Sequence, residues 1–125
     1  MAVSVPTVLV VDDETQILDL AEMVLQKRGY KVLTAQRPSQ AIDIAASTRE
    51  EIDLLLADVV LPEMDATELQ SQIRALQPKT RTLFMSGHPG DVLAGKGIDP
   101  SRENVVFKPS SLRELVLKVD ESLHE

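Results

Sequence analysis

Short apolar runs alternate with segments of helical periodicity along the whole chain. The runs predict five strands, and apolar residues at helical spacing between them predict helices. The predicted strands are Thr7–Val11, Lys31–Thr34, Asp53–Ala57, Thr82–Met85 and Val105–Phe107. Strict alternation of strands and helices favours an α/β domain built on a parallel sheet.

Each predicted strand is followed by a predicted helix, which makes five helices. They are placed at Glu14–Lys27, at Ser39–Ser47, from Asp65 to just before Pro78, near Asp91–Ala94, and from Ser111 onwards. We expect Leu20 on the inner face of the first helix, Leu76 on that of the third, and Ser39 as the cap of the second. Because right-handed crossovers leave few alternatives, this sequence of elements predicts a flavodoxin-like doubly wound sheet with five parallel strands in the order 2-1-3-4-5.

Residues that can handle a phosphoryl group stand at the ends of four predicted strands. Asp12 and Asp13 follow the first strand, Asp58 the third, Ser86 the fourth and Lys108 the fifth. The carboxyl ends of parallel strands meet at one edge of the sheet, where open α/β sheets hold their ligands. Since strands one and three are neighbours in the predicted order, we expect the three aspartates to share one crevice.

The chemistry available at this edge is phosphoryl transfer assisted by a divalent cation. Three ionised carboxylates close together repel one another, and a cation relieves the repulsion. Mg²⁺ suits the site because it prefers oxygen ligands and is usually held by one or two carboxylates plus a phosphate. A carboxylate also serves as a nucleophile that forms an aspartyl phosphate, while Lys108 supplies a compact cation and Ser86 a hydrogen-bond donor. Taken singly, each residue fits an ordinary turn, helix cap or solvated surface, so the interpretation rests on their joint placement.

Length, charge and composition exclude several other classes of protein. The 125 residues fit one domain, with Met1–Pro6 expected as a loose arm and residues 7–125 as the domain itself. A net charge of −7 argues against direct binding to nucleic acid. The chain has no cysteine, which excludes disulfides and cysteine-based metal sites. No apolar run approaches the roughly 18 residues of a membrane span, so we expect a cytoplasmic protein without membrane contact.

Four local strings carry a resemblance to a known family. They are Val10–Glu14, Ala57–Asp65, Met85–Gly87 and Lys108–Pro109. In this order and spacing they resemble the receiver domain of bacterial two-component response regulators, over nearly the whole chain. The segment between Gly87 and Pro109 also resembles receivers joined to the C-terminal end of hybrid sensor histidine kinases. The chain is therefore expected to be such a receiver or a stand-alone regulator.

The resemblance implies a role for each residue at the sheet edge. Asp58 is the implied phosphoacceptor, Ser86 the hydroxyl that turns toward the phosphate, and Lys108 its cationic partner. The implied ligands of Mg²⁺, with Mn²⁺ as an alternative ion, are Asp12, Asp13, Asp58 and the main-chain carbonyl of Val60. The implied donor is a phosphohistidine on a sensor histidine kinase or a histidine phosphotransfer protein. Such a phosphorelay domain switches protein–protein contacts, and it catalyses only its own phosphorylation and dephosphorylation.

Two of the departures from the family pattern bear on how the switch works. Val105 stands where the family usually has an aromatic residue that rotates inward on activation, so we expect the switch to work differently here. Val60 offers no polar side chain to guide a hydrolytic water toward Asp58, which predicts a long-lived phosphoryl group.

Three other functions remain open on the sequence alone. A receiver-like module that binds partners without phosphate has the same fold. A haloacid-dehalogenase-like phosphatase also uses an aspartyl nucleophile and Mg²⁺, although its Asp-x-Asp motif differs from the string Asp12-Asp13-Glu14. Gly90–Gly97 fits the first seven places of a nucleotide-binding P-loop, but Gly97 replaces the Ser or Thr of the last place.

Overall fold

A parallel sheet with helices on both faces is the framework of the computed structural model, which describes residues 5–86, 104–107 and 112–124. The strands are β1 Thr7–Val11, β2 Lys31–Ala35, β3 Leu54–Asp58, β4 Arg81–Ser86 and β5 Asn104–Phe107. They lie in the order β2-β1-β3-β4-β5, and every neighbouring pair is parallel. The predicted α/β class and the predicted adjacency of strands one and three are confirmed.

Helices cover the sheet in two pairs. The described helices are α1 Thr15–Lys27, α2 Pro38–Ser47, α3 Ala66–Leu76 and α4 Leu112–Leu123. Helices α1 and α4 pack on one face, and α2 and α3 pack on the other. Three predicted features lie outside the described residues. They are the short helix near Asp91–Ala94, the helix start at Ser111, and Lys108. None of the described helices has the length and hydropathy needed to span a membrane.

The two central strands divide the core into two layers. Every residue of β1 and β3 is buried. Successive side chains of a strand point to opposite faces, so Val8 and Leu56 pack with α1 and α4 while Leu9 and Leu55 pack with α2 and α3. A strand covered on both faces carries a continuous apolar run, which is why these two strands are clear in the sequence.

Three of the finer predictions about the helices are wrong. Arg37, and not Ser39, is the N-cap of α2, because Pro38 fits the first helical position where no N–H is needed. Leu20 is 41% exposed, since the buried stripe of α1 is Leu18, Ala21 and Leu25. Leu76 is 44% exposed, because it is the last residue of α3 and Ile73 is the last buried one.

A side-chain cluster joins the turn between α1 and β2 to α4. The turn contains Gly29, whose φ of 102° is readily reached only by glycine. Arg28 donates to Asp120 Oδ2 from Nε at 3.1 Å and from Nη2 at 2.7 Å, and the Tyr30 hydroxyl donates to Asp120 Oδ1. Burial opposes ionisation of Asp120, but the two donors hold the pKa of its carboxyl below the usual value. Burial, together with the bond to Asp120, raises the pKa of Tyr30 to about 12.

Titration of Tyr30 tests this cluster directly, because the chain has one tyrosine and no tryptophan. We expect phenolate absorbance to rise with a midpoint at about 12, and Asp120→Asn to lower that midpoint by about one pKa unit as the carboxylate is lost. Because the folded pKa is raised, the contribution of Tyr30 to the free energy of unfolding is present below about pH 10. It is lost as the pH rises toward about 12.

The matched control for this titration is Glu121→Gln, which removes the same charge from the next residue of α4. It is expected to leave the midpoint unchanged. A midpoint that is the same in Asp120→Asn and in the unmodified chain would contradict the cluster.

Candidate functional site

The pairing of β1 with β3 brings two aspartates together at the carboxyl edge of the sheet. Val11 pairs with Ala57 in the register of these strands, so Asp12 and Asp58 are the next residues on neighbouring chains. Asp58 is the last residue of β3, and Asp12 directly follows β1. Asp12 is fully buried and Asp58 is 5% exposed. Two carboxylates are thus held in a place where water solvates them poorly.

Main-chain N–H groups fix the orientation of both aspartates. Asp12 Oδ1 accepts a hydrogen bond of 2.9 Å from the N–H of Glu14, at the start of α1. Asp58 Oδ1 accepts one of 3.1 Å from the N–H of Val60. The N–H of Val59 donates at 2.8 Å to the carbonyl of Met85 in β4, so the segment after Asp58 is tied to the sheet where it begins.

A third carboxylate joins the two aspartates. Carboxylate oxygens of Asp12, Glu14 and Asp58 all lie within 4.8 Å of one another. Glu14 is exposed, whereas the two aspartates are buried. Glu14 is not among the residues that the sequence predicts for the site, because an acidic residue after Asp12-Asp13 is also typical of a helix start. The available signal was the run of three acids directly after a buried strand.

Asp13 lies apart from the carboxylate cluster that contains its sequence neighbours Asp12 and Glu14. It is exposed, and within the part of the chain that the structure describes it is not a member of the Asp12–Glu14–Asp58 cluster. It lines an adjoining cavity of about 320 Å³. The other residues that line this cavity are Gln36, Arg37, Pro62 and Glu63. Asp13 therefore faces the cleft between the segments that follow β2 and β3.

The donor set of the cluster fits a hard divalent cation. Three carboxylates supply only oxygen ligands, which Mg²⁺ prefers. Like charges at this separation destabilise one another when two of them are buried, and a cation removes that cost. The cluster is therefore chemically suited to Mg²⁺, with Asp12, Glu14 and Asp58 as candidate ligands.

The remaining predicted site residues are placed as follows. Ser86 ends β4 and is fully buried, and Met85 before it pairs with Asp58. Val60 lies two residues after Asp58 and is 48% exposed. Val105 lies in β5 and pairs through its backbone with Phe84, while Lys108 is outside the described residues.

Comparison with known proteins gives a consistent result. A family model described as "Response regulator receiver domain" matches residues 8–120. The chain is 34% identical over 119 residues to the sensor kinase CckA of Brucella abortus, covering 95% of the chain and 13% of that protein. It is 33% identical over 118 residues to the nisin biosynthesis regulatory protein NisR of Lactococcus lactis, covering 93% of the chain and 49% of NisR. The chain thus spans half or less of the length of these relatives.

Solved structures show the same similarity. The signal receiver domain of an HD domain-containing protein from Pseudomonas fluorescens Pf-5 superposes with a TM-score of 0.82 at 28% identity, covering 98% of this chain and 90% of that one. The receiver domain of the hybrid histidine kinase CckA superposes with a TM-score of 0.78 at 29% identity, covering 94% and 99%.

Exchange of Glu14 for Gln tests whether the third carboxylate binds the cation. Two unit charges about 4 Å apart attract each other by about 1 kcal/mol in water and by more near a buried site, and Mg²⁺ carries two charges, so we expect Mg²⁺ to bind at least about tenfold more weakly. Isothermal titration calorimetry with MgCl₂ measures this change.

Asp19→Asn is the matched control for this titration, because it removes the same charge from an exposed position of the same helix. It is expected to leave the dissociation constant for Mg²⁺ nearly unchanged. Equal dissociation constants for the two variants would exclude Glu14 as a ligand.

Proposed function

Because the chain belongs to the response regulator receiver domain family, we propose that it is a phosphoacceptor switch that takes a phosphoryl group onto Asp58. The single observation that carries this proposal is the buried Asp58 carboxylate, set beside Asp12 and Glu14 at the carboxyl edge of the sheet. The proposed donor is a phosphohistidine on a sensor histidine kinase or a histidine phosphotransfer protein. The phosphorylated domain then changes its contacts with a protein partner.

The proposed transfer is a single displacement at phosphorus. An oxygen of Asp58 bonds to the phosphorus atom, the phosphorus–nitrogen bond of phosphohistidine breaks, and the imidazole leaves with its electron pair and takes up a proton. The protein contributes positioning and charge neutralisation to such a transfer. The N–H of Val60 holds Oδ1 and so sets the orientation of the attacking carboxylate.

We propose Mg²⁺ as the cation of this site. Asp12, Glu14 and Asp58 are candidate ligands from the geometry, and the family resemblance adds Asp13 and the main-chain carbonyl of Val60. When bound, Mg²⁺ neutralises negative charge on the carboxylates and on the incoming phosphoryl group. The burial of Asp12 and Asp58 supports the need for this neutralisation.

Ser86 and Lys108 are proposed to recognise the phosphoryl group. The neighbouring position of Ser86, at the end of the strand that pairs with β3, supports a hydrogen bond from its hydroxyl to a phosphoryl oxygen. Lys108 is the next residue after β5 in the sequence, and the resemblance gives it the role of the cationic partner. With Val105 in place of an aromatic residue, we propose that the change at Ser86 spreads through the β4–β5 pair. Added charge at Asp58 then favours a conformation already present in the unphosphorylated domain.

Acetyl phosphate tests the proposed acceptor without the unknown kinase. We expect one phosphoryl group to be added to the chain in the presence of Mg²⁺, because Asp58 displaces acetate from the small donor. Neither Asp58→Ala nor the unmodified chain in excess EDTA should gain mass. Intact-mass spectrometry reads the product directly.

Asp53→Ala is the matched control for Asp58→Ala, since Asp53 lies at the opposite edge of the sheet and binds the N–H of Thr7. It should still gain one phosphoryl group. Phosphorylation of Asp58→Ala to the extent of the unmodified chain would contradict the assignment. A chain that gains no mass from acetyl phosphate or from phosphohistidine donors would favour the phosphate-independent binding module.

Exchange of Val60 for Asn tests the prediction of a long-lived phosphoryl group. The side chain of Val60 is exposed two residues after Asp58, so an amide there can orient a water toward the phosphorus atom. We expect the half-life of the aspartyl phosphate to shorten by about tenfold, since one reacting water becomes oriented. Leu76→Asn makes a similar exchange at an exposed position of α3 and should leave the half-life unchanged. An unaltered half-life in Val60→Asn would refute the explanation.

A further inference from the structure

Glu63 has an unusual backbone conformation in the segment between Asp58 and α3. Its φ is 72°, and among the described residues it is the only one other than glycine with a positive φ. L-amino acids with long side chains rarely adopt this region, and they keep it only where the surroundings fix it. The N–H of Met64 donates to the carbonyl of Pro62 at 2.8 Å, so Glu63 is the middle residue of a three-residue turn.

The carboxylate of Glu63 caps a helix that lies 24 residues earlier in the chain. Oε1 accepts a hydrogen bond of 2.9 Å from the N–H of Ser39, and Oε2 accepts one of 3.1 Å from the Ser39 hydroxyl. Ser39 is the second residue of α2, where helical N–H groups have no partner within the helix. The N-cap residue Arg37 makes no side-chain bond to the helix, and the first turn of α2 contains no acidic residue. Glu63 therefore supplies both a hydrogen-bond acceptor and a negative charge at the positive end of α2.

This contact joins α2 to the loop that contains Val60. The loop is tied to the sheet at its start by the Val59–Met85 bond and enters α3 after Asp65. Between these points the two bonds from Glu63 to Ser39 link the loop to another element. The cavity that Asp13 lines has Glu63 in its wall, so the contact borders the cleft beside the acidic cluster.

We propose that Glu63 is a positioning residue for the phosphorylation site. By capping α2 it holds the loop after Asp58, and with it the backbone of Val60, in the arrangement that binds the cation. The unfavourable φ of Glu63 is maintained by the two bonds to Ser39. The inference deepens the proposed function and rests on it for its consequence in phosphoryl transfer.

Four substitutions separate the backbone requirement from the cap. Glu63→Asn tolerates a positive φ, but its side chain is too short to reach Ser39. Glu63→Gly removes both the strain and the cap. Glu63→Gln keeps the length and one acceptor oxygen. Ser39→Ala removes the hydroxyl donor and leaves the N–H in place.

The dissociation constant for Mg²⁺ is the first readout. We expect Glu63→Asn and Glu63→Gly to weaken Mg²⁺ binding by about tenfold, the lower end of the effect of losing an outer-shell partner. Glu63→Gln should recover most of the affinity. Ser39→Ala should weaken binding in the unmodified chain but cause no further loss in Glu63→Asn, because the two residues act through one contact.

Three further readouts separate positioning from stability. The rate constant for phosphorylation by acetyl phosphate at saturating Mg²⁺ should change by less than about twofold, since the cation restores the loop once it is bound. The amide resonance of Val60, recorded in the absence of Mg²⁺, should shift in Glu63→Asn and return in Glu63→Gln. Chemical denaturation gives the free energy of unfolding of each variant.

Unchanged Mg²⁺ affinity and an unshifted Val60 resonance in Glu63→Asn and Glu63→Gly would overturn the proposal, and a drop in stability alone would reduce Glu63 to a structural cap. Failure of the proposed function is a separate result. If the unmodified chain accepts no phosphoryl group while the affinities and resonances follow the expected pattern, Glu63 positions a cation site whose use is different.

Discussion

The parallel pairing of β1 with β3 is the interaction on which the rest of the molecule depends. It places two buried strands side by side, so that the residues that follow Val11 and Ala57 meet at one edge. The same pairing supplies the centre of both core layers, because each strand is buried on both faces. Burial of this kind keeps the two aspartates poorly solvated, and the energetic cost of their charges creates the demand for a cation. The stability of the core and the placement of the acidic residues at its edge therefore have one origin.

The sequence predicts the structure correctly where one physical effect dominates. A strand covered on both faces must be apolar throughout, so Thr7–Val11 could be bounded from the sequence alone. The topology of a parallel sheet then brings the acidic residues that directly follow such strands to one edge. The sequence is less informative about helix surfaces. An apolar residue at the border of the buried face has nearly the same helical spacing as one within it. Leu20 is such a case, and its exposure depends on which residues of α1 contact the sheet.

The candidate site was less predictable than the fold because it depends on contacts between segments distant in sequence. Glu14 joins the cluster through the turn that starts α1, and an acidic residue at a helix start has an ordinary explanation of its own. The contact between Glu63 and Ser39 cannot be predicted from the sequence around either residue. A positive φ is typical of glycine and, less often, of Asn or Asp, and not of glutamate. Ser39 was expected to cap its own helix, and it is instead the residue that receives a cap from elsewhere.

The cluster of Arg28, Tyr30 and Asp120 has a consequence for the motion of α4. Tyr30 precedes β2, so the cluster lies at the amino edge of the sheet, opposite the acidic residues. It fastens α4 near its C-terminal end, because Asp120 is three residues before Leu123, where the helix stops. Because these hydrogen bonds and the ion pair hold the helix at Asp120, displacing its C-terminal end requires breaking them. Any movement of α4 that keeps the cluster intact therefore has its pivot near Asp120, at the amino edge of the sheet.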